Sequence, residues 1–185
     1  MIYMLLGTGF EETEAIAPLD LLRRAGLAVK TVGLNGKVIF GGHGIGVQTD
    51  IEIDDMDAAD LEMVIIPGGL GGVASVRACP KAMKTLKSAW DRGKFVAAIC
   101  AGPTVLADLG ITDGKWVTCY PGCESGMGNA VMIPDVACVR DGNLITGTSA
   151  GCAIAFGLAL VEAMKGKDTA EAIHQQIVTR WEVKE

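Results

Sequence analysis

Short apolar runs alternate with longer helical patterns along the chain, which predicts a mostly parallel sheet covered by helices on both faces. Four apolar runs are expected to be its main strands: Ile2 to Leu6, Ala28 to Leu34, Met63 to Ile66 and Phe95 to Ile99. Helical spacing predicts helices at Thr13 to Ala25, at Val73 to Arg92 with a break near Pro80, at Ala101 to Leu109, at Ala150 to Met164, and at Thr169 to Val178 behind an Asp168 N-cap. The pattern therefore favours an α/β fold.

Between these elements the pattern is less regular. Asn35-Gly36 is a strong hairpin signal, with Val38 to Phe40 as the return arm. Val47 to Ile53 alternates as an exposed strand would. Further short strands are expected at Trp116 to Cys119, Val136 to Val139 and Leu144 to Thr146.

Length and composition narrow the class of protein. The 185 residues suit a single domain, 1–185, and a hydrophobic content of 50% excludes disorder. No apolar run approaches the roughly 18 residues that span a bilayer. The first residues also lack the basic leader of a secretory signal. We expect a soluble, cytoplasmic protein with no membrane partner.

Charge and cysteine usage exclude further classes. The formal net charge is −6 and no basic cluster occurs, so nucleic acid is not an expected ligand. Without a secretory signal, the cysteines are expected to be thiols. There are six of them: Cys79, Cys100, Cys119, Cys123, Cys138 and Cys152. The closest two, Cys119 and Cys123, have no histidine nearby, so we expect no metal site.

Cys100 stands where a predicted central strand turns into a helix. It is flanked at two residues on either side by the small residues Ala98 and Gly102, which is the pattern of a nucleophile elbow with sulfur in place of oxygen. The turn would aim the sulfur at a helix N-terminus, which favours thiolate over thiol. The spacing alone leaves a second interpretation open, namely a buried structural cysteine at a strand end.

A glycine-rich turn follows the neighbouring predicted strand, in the segment Pro67-Gly68-Gly69-Leu70-Gly71-Gly72. Both turns would lie at the carboxyl edge of the sheet, where ligands of such folds bind. Backbone N–H groups of the glycines and of Ala101 could stabilise an oxyanion, or the glycines could simply form a flexible turn. Val73-Ala74 stands where a phosphate loop needs Lys-Ser or Lys-Thr, so nucleotide binding is not predicted.

Three segments, in this order and spacing, resemble the ThiJ/PfpI superfamily, also called the DJ-one superfamily. They are Gly9-Phe10-Glu11-Glu12-Thr13-Glu14, Ile66-Pro67-Gly68-Gly69 and Ala98-Ile99-Cys100-Ala101-Gly102-Pro103. The resemblance covers nearly the whole chain. It implies a flavodoxin-like three-layer α/β sandwich with a mostly parallel central sheet, a homodimer, no cofactor, and a reactive cysteine at Cys100.

The resemblance also assigns roles to other residues. Glu14 matches the acidic residue that hydrogen-bonds the sulfur and moves protons, while Glu11 and Glu12 receive no role. Gly69 and Ala101 match the backbone oxyanion donors. Further pocket residues are expected at Gly68, Cys119, Tyr120 and Thr148.

Some residues depart from the superfamily pattern, and these departures narrow the range of expected activities. Ala101 stands where protease-like members place a histidine, which argues against a peptidase. Tyr120 and Thr148 replace a histidine and an arginine of other members. His43 and His174 fall at no catalytic position, so we expect both in ordinary surface or core roles.

The main hypothesis is a cysteine-dependent enzyme of the glyoxalase or deglycase type, acting on small reactive carbonyls such as methylglyoxal, with a role in oxidative stress. The alternative is a redox sensor or chaperone in which Cys100 is oxidised and Cys119 is the resolving thiol. A third hypothesis, cysteine amidohydrolase or peptidase activity, is weakened by Ala101. The glycine-rich segments 41–46 and 122–128 are candidate walls of the substrate pocket.

Overall fold

The structure is a computed structural model that describes residues 1–179. Its strands are β1 (Ile2–Leu6), β2 (Val29–Gly33), β3 (Val38–Phe40), β4 (Gly46–Gln48), β5 (Ile51–Glu52), β6 (Met63–Ile66), β7 (Phe95–Ile99), β8 (Trp116–Val117), β9 (Val131–Met132), β10 (Cys138–Asp141) and β11 (Leu144–Gly147). Its α-helices are α1 (Glu12–Arg24), α2 (Leu70–Ala78), α3 (Pro80–Asp91), α4 (Pro103–Asp108), α5 (Ala153–Lys165) and α6 (Lys167–Ile177).

Seven strands form the central sheet in the order β10-β11-β7-β6-β1-β2-β5. All neighbours are parallel except β10 and β11 at one edge. Such a sheet needs helices on both faces, because its strands are buried on both sides. The structure confirms the predicted three-layer α/β sandwich with a mostly parallel sheet.

Strand β1 shows how the two faces are filled. Side chains alternate across a strand, and Tyr3 and Leu5 pack in a core with residues of α2, α3 and α4. Ile2, Met4 and Leu6 pack on the opposite face with residues of α1, α5 and α6. The continuous apolar run at residues 2–6 is thus explained by burial on both faces.

The predicted hairpin at Asn35-Gly36 is wrong. The arm Val38–Phe40 pairs instead with β4, in a separate antiparallel ribbon. Strand β2 has no free edge for a returning arm, since it pairs with β1 on one side and β5 on the other. Two parallel neighbours therefore outweigh the local turn signal.

Two helix boundaries depend on single residues. The predicted break near Pro80 is confirmed, because α2 ends at Ala78 and Pro80 opens α3. The predicted Asp168 N-cap is wrong, because Gly166 caps α6 and Asp168 lies in the first turn. Gly166 alone separates α5 from α6, and its φ of 85° favours glycine.

Three neighbouring strands, β7, β6 and β1, end at the same edge of the sheet. The loops that follow them are joined by backbone hydrogen bonds, such as Glu11 N to Gly68 O at 3.0 Å. Ligands of open parallel sheets bind at this edge. Across residues 1–179, no helix has the length and apolar character needed to cross a membrane.

Candidate active site

Cys100 occupies the sharp turn between β7 and α4. Its φ is 65°, in the left-handed region that non-glycine residues rarely adopt. The turn is held from both sides, since Cys100 N donates to Gly147 O at 2.9 Å and Cys100 O accepts from Tyr120 N at 2.8 Å. Strained backbone of this kind persists where the surroundings impose it, and it is concentrated at functional sites. The turn predicted from the small flanking residues is observed.

Glu14 reaches this turn from the first part of α1, where it is 1% exposed. Its Oε2 accepts a hydrogen bond from Gly68 N at 2.8 Å, and its carboxyl lies within hydrogen-bonding reach of the Cys100 thiol. Oε1 is buried and has no hydrogen-bond partner among residues 1–179. Burial raises the pKa of Glu14 to about 7, although the hydrogen bonds from Cys100 and Gly68 oppose that rise.

Gly68 lies against both reactive groups. A Cβ built on Gly68 would lie 2.5 Å from Glu14 Oε2 and 2.7 Å from Cys100 Cβ, closer than real side chains approach. The next residue, Gly69, has a φ of 84° and packs directly on the backbone of residues 9–11. The glycines after β6 are therefore required for close packing, which the flexible-turn interpretation does not explain.

The Cys100 thiol is harder to ionise than we expected. Burial and the nearby charge of Glu14 raise its pKa to about 12, while the backbone N–H groups of Ala101 and Gly69 act in the lowering direction. Burial and Glu14 thus shift Cys100 towards the thiol form, so a base beside the sulfur assists its deprotonation. Glu14 is placed to be that base.

A cleft of about 840 Å³ opens above Cys100. It is lined by Gly9, Glu11, Glu14, Gly42, His43, Gly69, Leu70, Gly71, Cys100, Ala101, Tyr120, Cys123, Ser149, Ala150 and Gly151. Both glycine-rich segments that the sequence suggested as walls contribute to it, 41–46 through Gly42 and His43 and 122–128 through Cys123. The predicted pocket residue Tyr120 lies on this surface, and Gly68 contacts the two reactive side chains.

Two predicted pocket residues lie elsewhere. Cys119 is 4% exposed and packs in the core that contains α2 to α4. Thr148 hydrogen-bonds Thr118 Oγ1 at 3.0 Å and the backbone carbonyl of Val136. Neither residue is among those that line the cleft, so the predicted pocket positions of Cys119 and Thr148 are not observed. The side chain of Cys119 is packed in the core, and the side chain of Thr148 is held by hydrogen bonds.

His43 was missed by sequence reasoning, because its partners are about thirty positions away in the chain. Its Nδ1 lies 2.9 Å from Glu12 Oε2 and 3.5 Å from Glu11 Oε2. Within residues 1–179 these three side chains are the group whose donor atoms converge, within 4.8 Å of one another. Glu12 already accepts hydrogen bonds from His43 and Ile45, so we interpret the group as an ion pair and assign no metal to it.

Comparison with known proteins shows which family the chain belongs to. The model of the DJ-1/PfpI family matches residues 1–163. This chain belongs to the DJ-1/PfpI family. Protein dj-1beta of Drosophila melanogaster is 33% identical over 180 residues, 96% of each protein. The crystal structure of Drosophila melanogaster DJ-1beta has a TM-score of 0.92 to this fold, over 97% of this chain and 98% of that one.

A protein of Pyrococcus abyssi named as a deglycase is 32% identical over 165 residues, which is 89% of this chain and 99% of that protein. The DJ-1/PfpI match spans Glu14, the loop after β6 and Cys100, and it confirms the resemblance that three sequence segments indicated. The reaction has to follow from the chemistry of the site itself.

Proposed function

We propose that this protein is a cofactor-independent, cysteine-dependent enzyme of the glyoxalase or deglycase type that acts on small reactive carbonyls. The observation that carries the proposal is the buried Glu14 carboxyl beside Cys100, with a pKa raised to about 7 and one oxygen unpartnered. A general base works best when its pKa is near the working pH. A buried polar atom without a partner also calls for an explanation, and proton transfer supplies one.

The first chemical step uses this pair directly. The Cys100 sulfur adds to the carbonyl carbon while Glu14 takes the thiol proton, so a C–S bond forms and the carbonyl electron pair moves to oxygen. The N–H groups of Gly69 and Ala101 lie against the sulfur, where they can stabilise the new oxyanion. Glu14 then returns its proton to that oxygen, which gives a neutral hemithioacetal.

The later steps need no external oxidant. For methylglyoxal, transfer of hydrogen from the aldehyde carbon to the ketone carbon converts the hemithioacetal into a thioester of lactate. The aldehyde carbon is oxidised and the ketone carbon is reduced within one molecule. Water then hydrolyses the thioester, which releases lactate and restores the thiol.

The surroundings of Cys100 favour small carbonyl substrates. The cleft volume is in the range of small-molecule sites. Its charged lining is acidic apart from His43, so a neutral carbonyl is accepted more readily than a carboxylate or phosphate. The Pyrococcus abyssi relative is named as a deglycase, which supports the same class of reaction.

The raised pKa of Cys100 makes the sensor hypothesis weaker. Cysteines that sense peroxide are accessible and have a low pKa, because the thiolate is the form that oxidises. Here burial and Glu14 raise the pKa of the Cys100 thiol, which favours the thiol over the thiolate. Cys119, the suggested resolving thiol, is buried outside the cleft, and its pKa is raised to about 11 by burial.

The test is lactate release from methylglyoxal without glutathione. Wild type is compared with Cys100→Ala and Glu14→Gln, with folding matched by circular dichroism. We expect turnover in the wild type and at least a roughly hundredfold loss in each variant, since each removes a group that moves a proton or forms a bond. Cys79→Ala, outside the cleft, should retain full activity. Lactate formation that persists in Cys100→Ala, or is absent from the wild type, would refute the proposal.

A further inference from the structure

The loop between β3 and β4 is folded around the carboxylate of Glu12. Glu12 is 6% exposed, and its Oε1 accepts hydrogen bonds from His43 N at 2.8 Å and Ile45 N at 3.4 Å. A Cβ built on Gly41 would lie 2.3 Å from Glu12 Oε1, so the loop approaches the carboxylate as closely as glycine allows. The loop is also tied to the turn after β1, because Gly42 N donates to Phe10 O at 2.8 Å.

This arrangement holds the imidazole of His43 on the wall of the cleft. Nδ1 lies 2.9 Å from Glu12 Oε2, and the side chain is 70% exposed. A carboxylate on Nδ1 fixes the tautomer with the proton on that nitrogen, and Nε2 is then the nitrogen available to a ligand. The residues described give Nε2 no hydrogen-bond partner.

The loop is held to Glu12 without the imidazole, because the backbone N–H groups of His43 and Ile45 donate to Glu12 Oε1. The imidazole is the hydrogen-bond partner of the other carboxylate oxygen, Oε2. The ring is thus exposed but fixed by a buried carboxylate, in the same cleft as Cys100 and Glu14. It is also the one basic side chain among the described cleft residues. A polar group with one fixed end and one free end in a cleft is suited to contact a bound molecule.

We propose that His43 is a second catalytic residue, which exchanges protons with the oxygens of a dicarbonyl attached to Cys100, and that Glu12 is its positioning residue. The inference rests on the proposed function and deepens it. For the conversion of the hemithioacetal into the thioester, it divides the proton transfers between two walls of the cleft, with Glu14 serving the carbon atoms and His43 serving the oxygen atoms.

The steps balance within the hemithioacetal of methylglyoxal. Glu14 removes the hydrogen from the carbon bonded to sulfur while the imidazolium of His43 protonates the ketone oxygen, and an enediol forms. Glu14 then delivers its proton to the former ketone carbon, as neutral His43 takes the proton from the hydroxyl on the sulfur-bonded carbon. The product is the lactate thioester, and both side chains return to their starting protonation states.

The charges around His43 favour its protonated form. Glu12 and Glu11 face it directly, and the hydrogen bond that Nδ1 donates to Glu12 raises the pKa of His43, with the charges of Glu11 and Glu12 adding to the effect. The other titratable groups lining the cleft are Glu14, Cys100, Tyr120 and Cys123. Because His43 must begin protonated, activity should fall as the pH rises through the raised pKa of His43.

The experiment measures kcat and KM for methylglyoxal between pH 5.5 and 9.5, roughly the range in which such groups titrate. The variants are His43→Gln and Glu12→Gln, and His174→Gln on α6 is the matched control. We expect His43→Gln to lower kcat by roughly a hundredfold and to remove the alkaline limb of the profile. Glu12→Gln retains an oxygen for the loop N–H groups but lowers the pKa of His43, so the alkaline limb should move to lower pH.

Alkylation of Cys100 by iodoacetamide separates this inference from the proposed function. The alkylation rate depends on Cys100 and Glu14, so it should be the same in His43→Gln as in the wild type. A wild-type kcat and an unchanged pH profile in His43→Gln would overturn the role of His43 and leave the function of Cys100 intact. Equal loss of kcat and of the alkylation rate would also overturn it, because the variant would then have damaged the whole site.

Discussion

At the scale of single residues, the site keeps a carboxyl group in a position that weakens the fold. Glu14 is buried, and its pKa is raised from 4.5 to about 7. Folding therefore favours the protonated form. The stability associated with this group is fully present below pH 4.5 and is lost as the pH rises through about 7. A site that needs a base near neutrality has this cost built into it.

Replacing Glu14 with Gln should therefore stabilise the protein at alkaline pH. The amide oxygen still accepts the hydrogen bond from Gly68 N, and no charge has to be buried. We expect a gain in unfolding free energy of at most about 3 kcal/mol at pH 8, shrinking towards zero at pH 4. Urea denaturation at both pH values measures it. A gain of equal size at pH 4 would show that the charge of Glu14 is not the cause.

A second prediction at this scale concerns Gly68. The methyl group of Gly68→Ala would press on Glu14 Oε2 and Cys100 Cβ, so the two groups must move apart. Displacements of about 1 Å can cost about a hundredfold in rate, so we expect a loss of that order in kcat/KM for methylglyoxal with the fold retained. Gly151→Ala also changes the cleft wall, but its nearest non-neighbouring atom is 3.9 Å away. That variant should keep wild-type activity.

Individual residues differed in how far the sequence could predict them. Cys100 was predicted from a local pattern, the small residues that flank a turn after a strand, whereas the role of Glu14 came from the family resemblance. The role of His43 was not predicted, since it depends on contacts with Glu11 and Glu12 across 31 positions or more. The direction of the Cys100 pKa was also missed, because burial depends on the whole fold.

At the scale of elements, α1 carries Glu14 and is held in place by α5. A Cβ built on Gly157 of α5 would lie 2.7 Å from Leu21 Cδ1 and 2.9 Å from Pro18 Cα. The two helices thus approach each other at a position where only glycine fits. Helix α1 positions the base of the site, so this contact links core packing to activity.

Gly157→Ala should force α1 and α5 apart and lower the unfolding free energy by about 1–3 kcal/mol. Leu21→Ala leaves space at the same contact. If the clash is as described, the double variant is less destabilised than the sum of the two single variants. Chemical denaturation of all four proteins measures this coupling. Strict additivity would contradict the proposed contact.

The sequence predicted secondary-structure elements correctly where the local pattern of apolar residues was sufficient to identify them. The buried runs at β1, β6 and β7 were found because a doubly covered strand is apolar throughout. The hairpin at Asn35-Gly36 failed because a turn signal says nothing about which strand occupies the neighbouring edge. Both edges of β2 are occupied by strands that are not its hairpin partner, β1 on one side and β5 on the other.

At the scale of the whole molecule, the family resemblance predicts a homodimer. Light scattering after size-exclusion chromatography should give twice the mass of one chain, and the value should hold on dilution into the micromolar range. A mass equal to one chain at every concentration would contradict the prediction.

The sequence predicts the layer architecture because helices and strands alternate regularly along the chain. It does not predict the cleft, because the cleft is assembled from loops that are far apart in the chain.

The ribbon of β3 and β4 lies outside the seven-stranded sheet, yet its loop supplies Gly42 and His43 to the cleft. The reactive pair, by contrast, is anchored on elements of the central fold, the start of α1 and the end of β7. Selection can therefore act on the two separately. Changes in the length or the side chains of the ribbon would alter which molecules are admitted, and whether a histidine is present to exchange protons with their oxygens, while the nucleophile Cys100 and its base Glu14 stay in place.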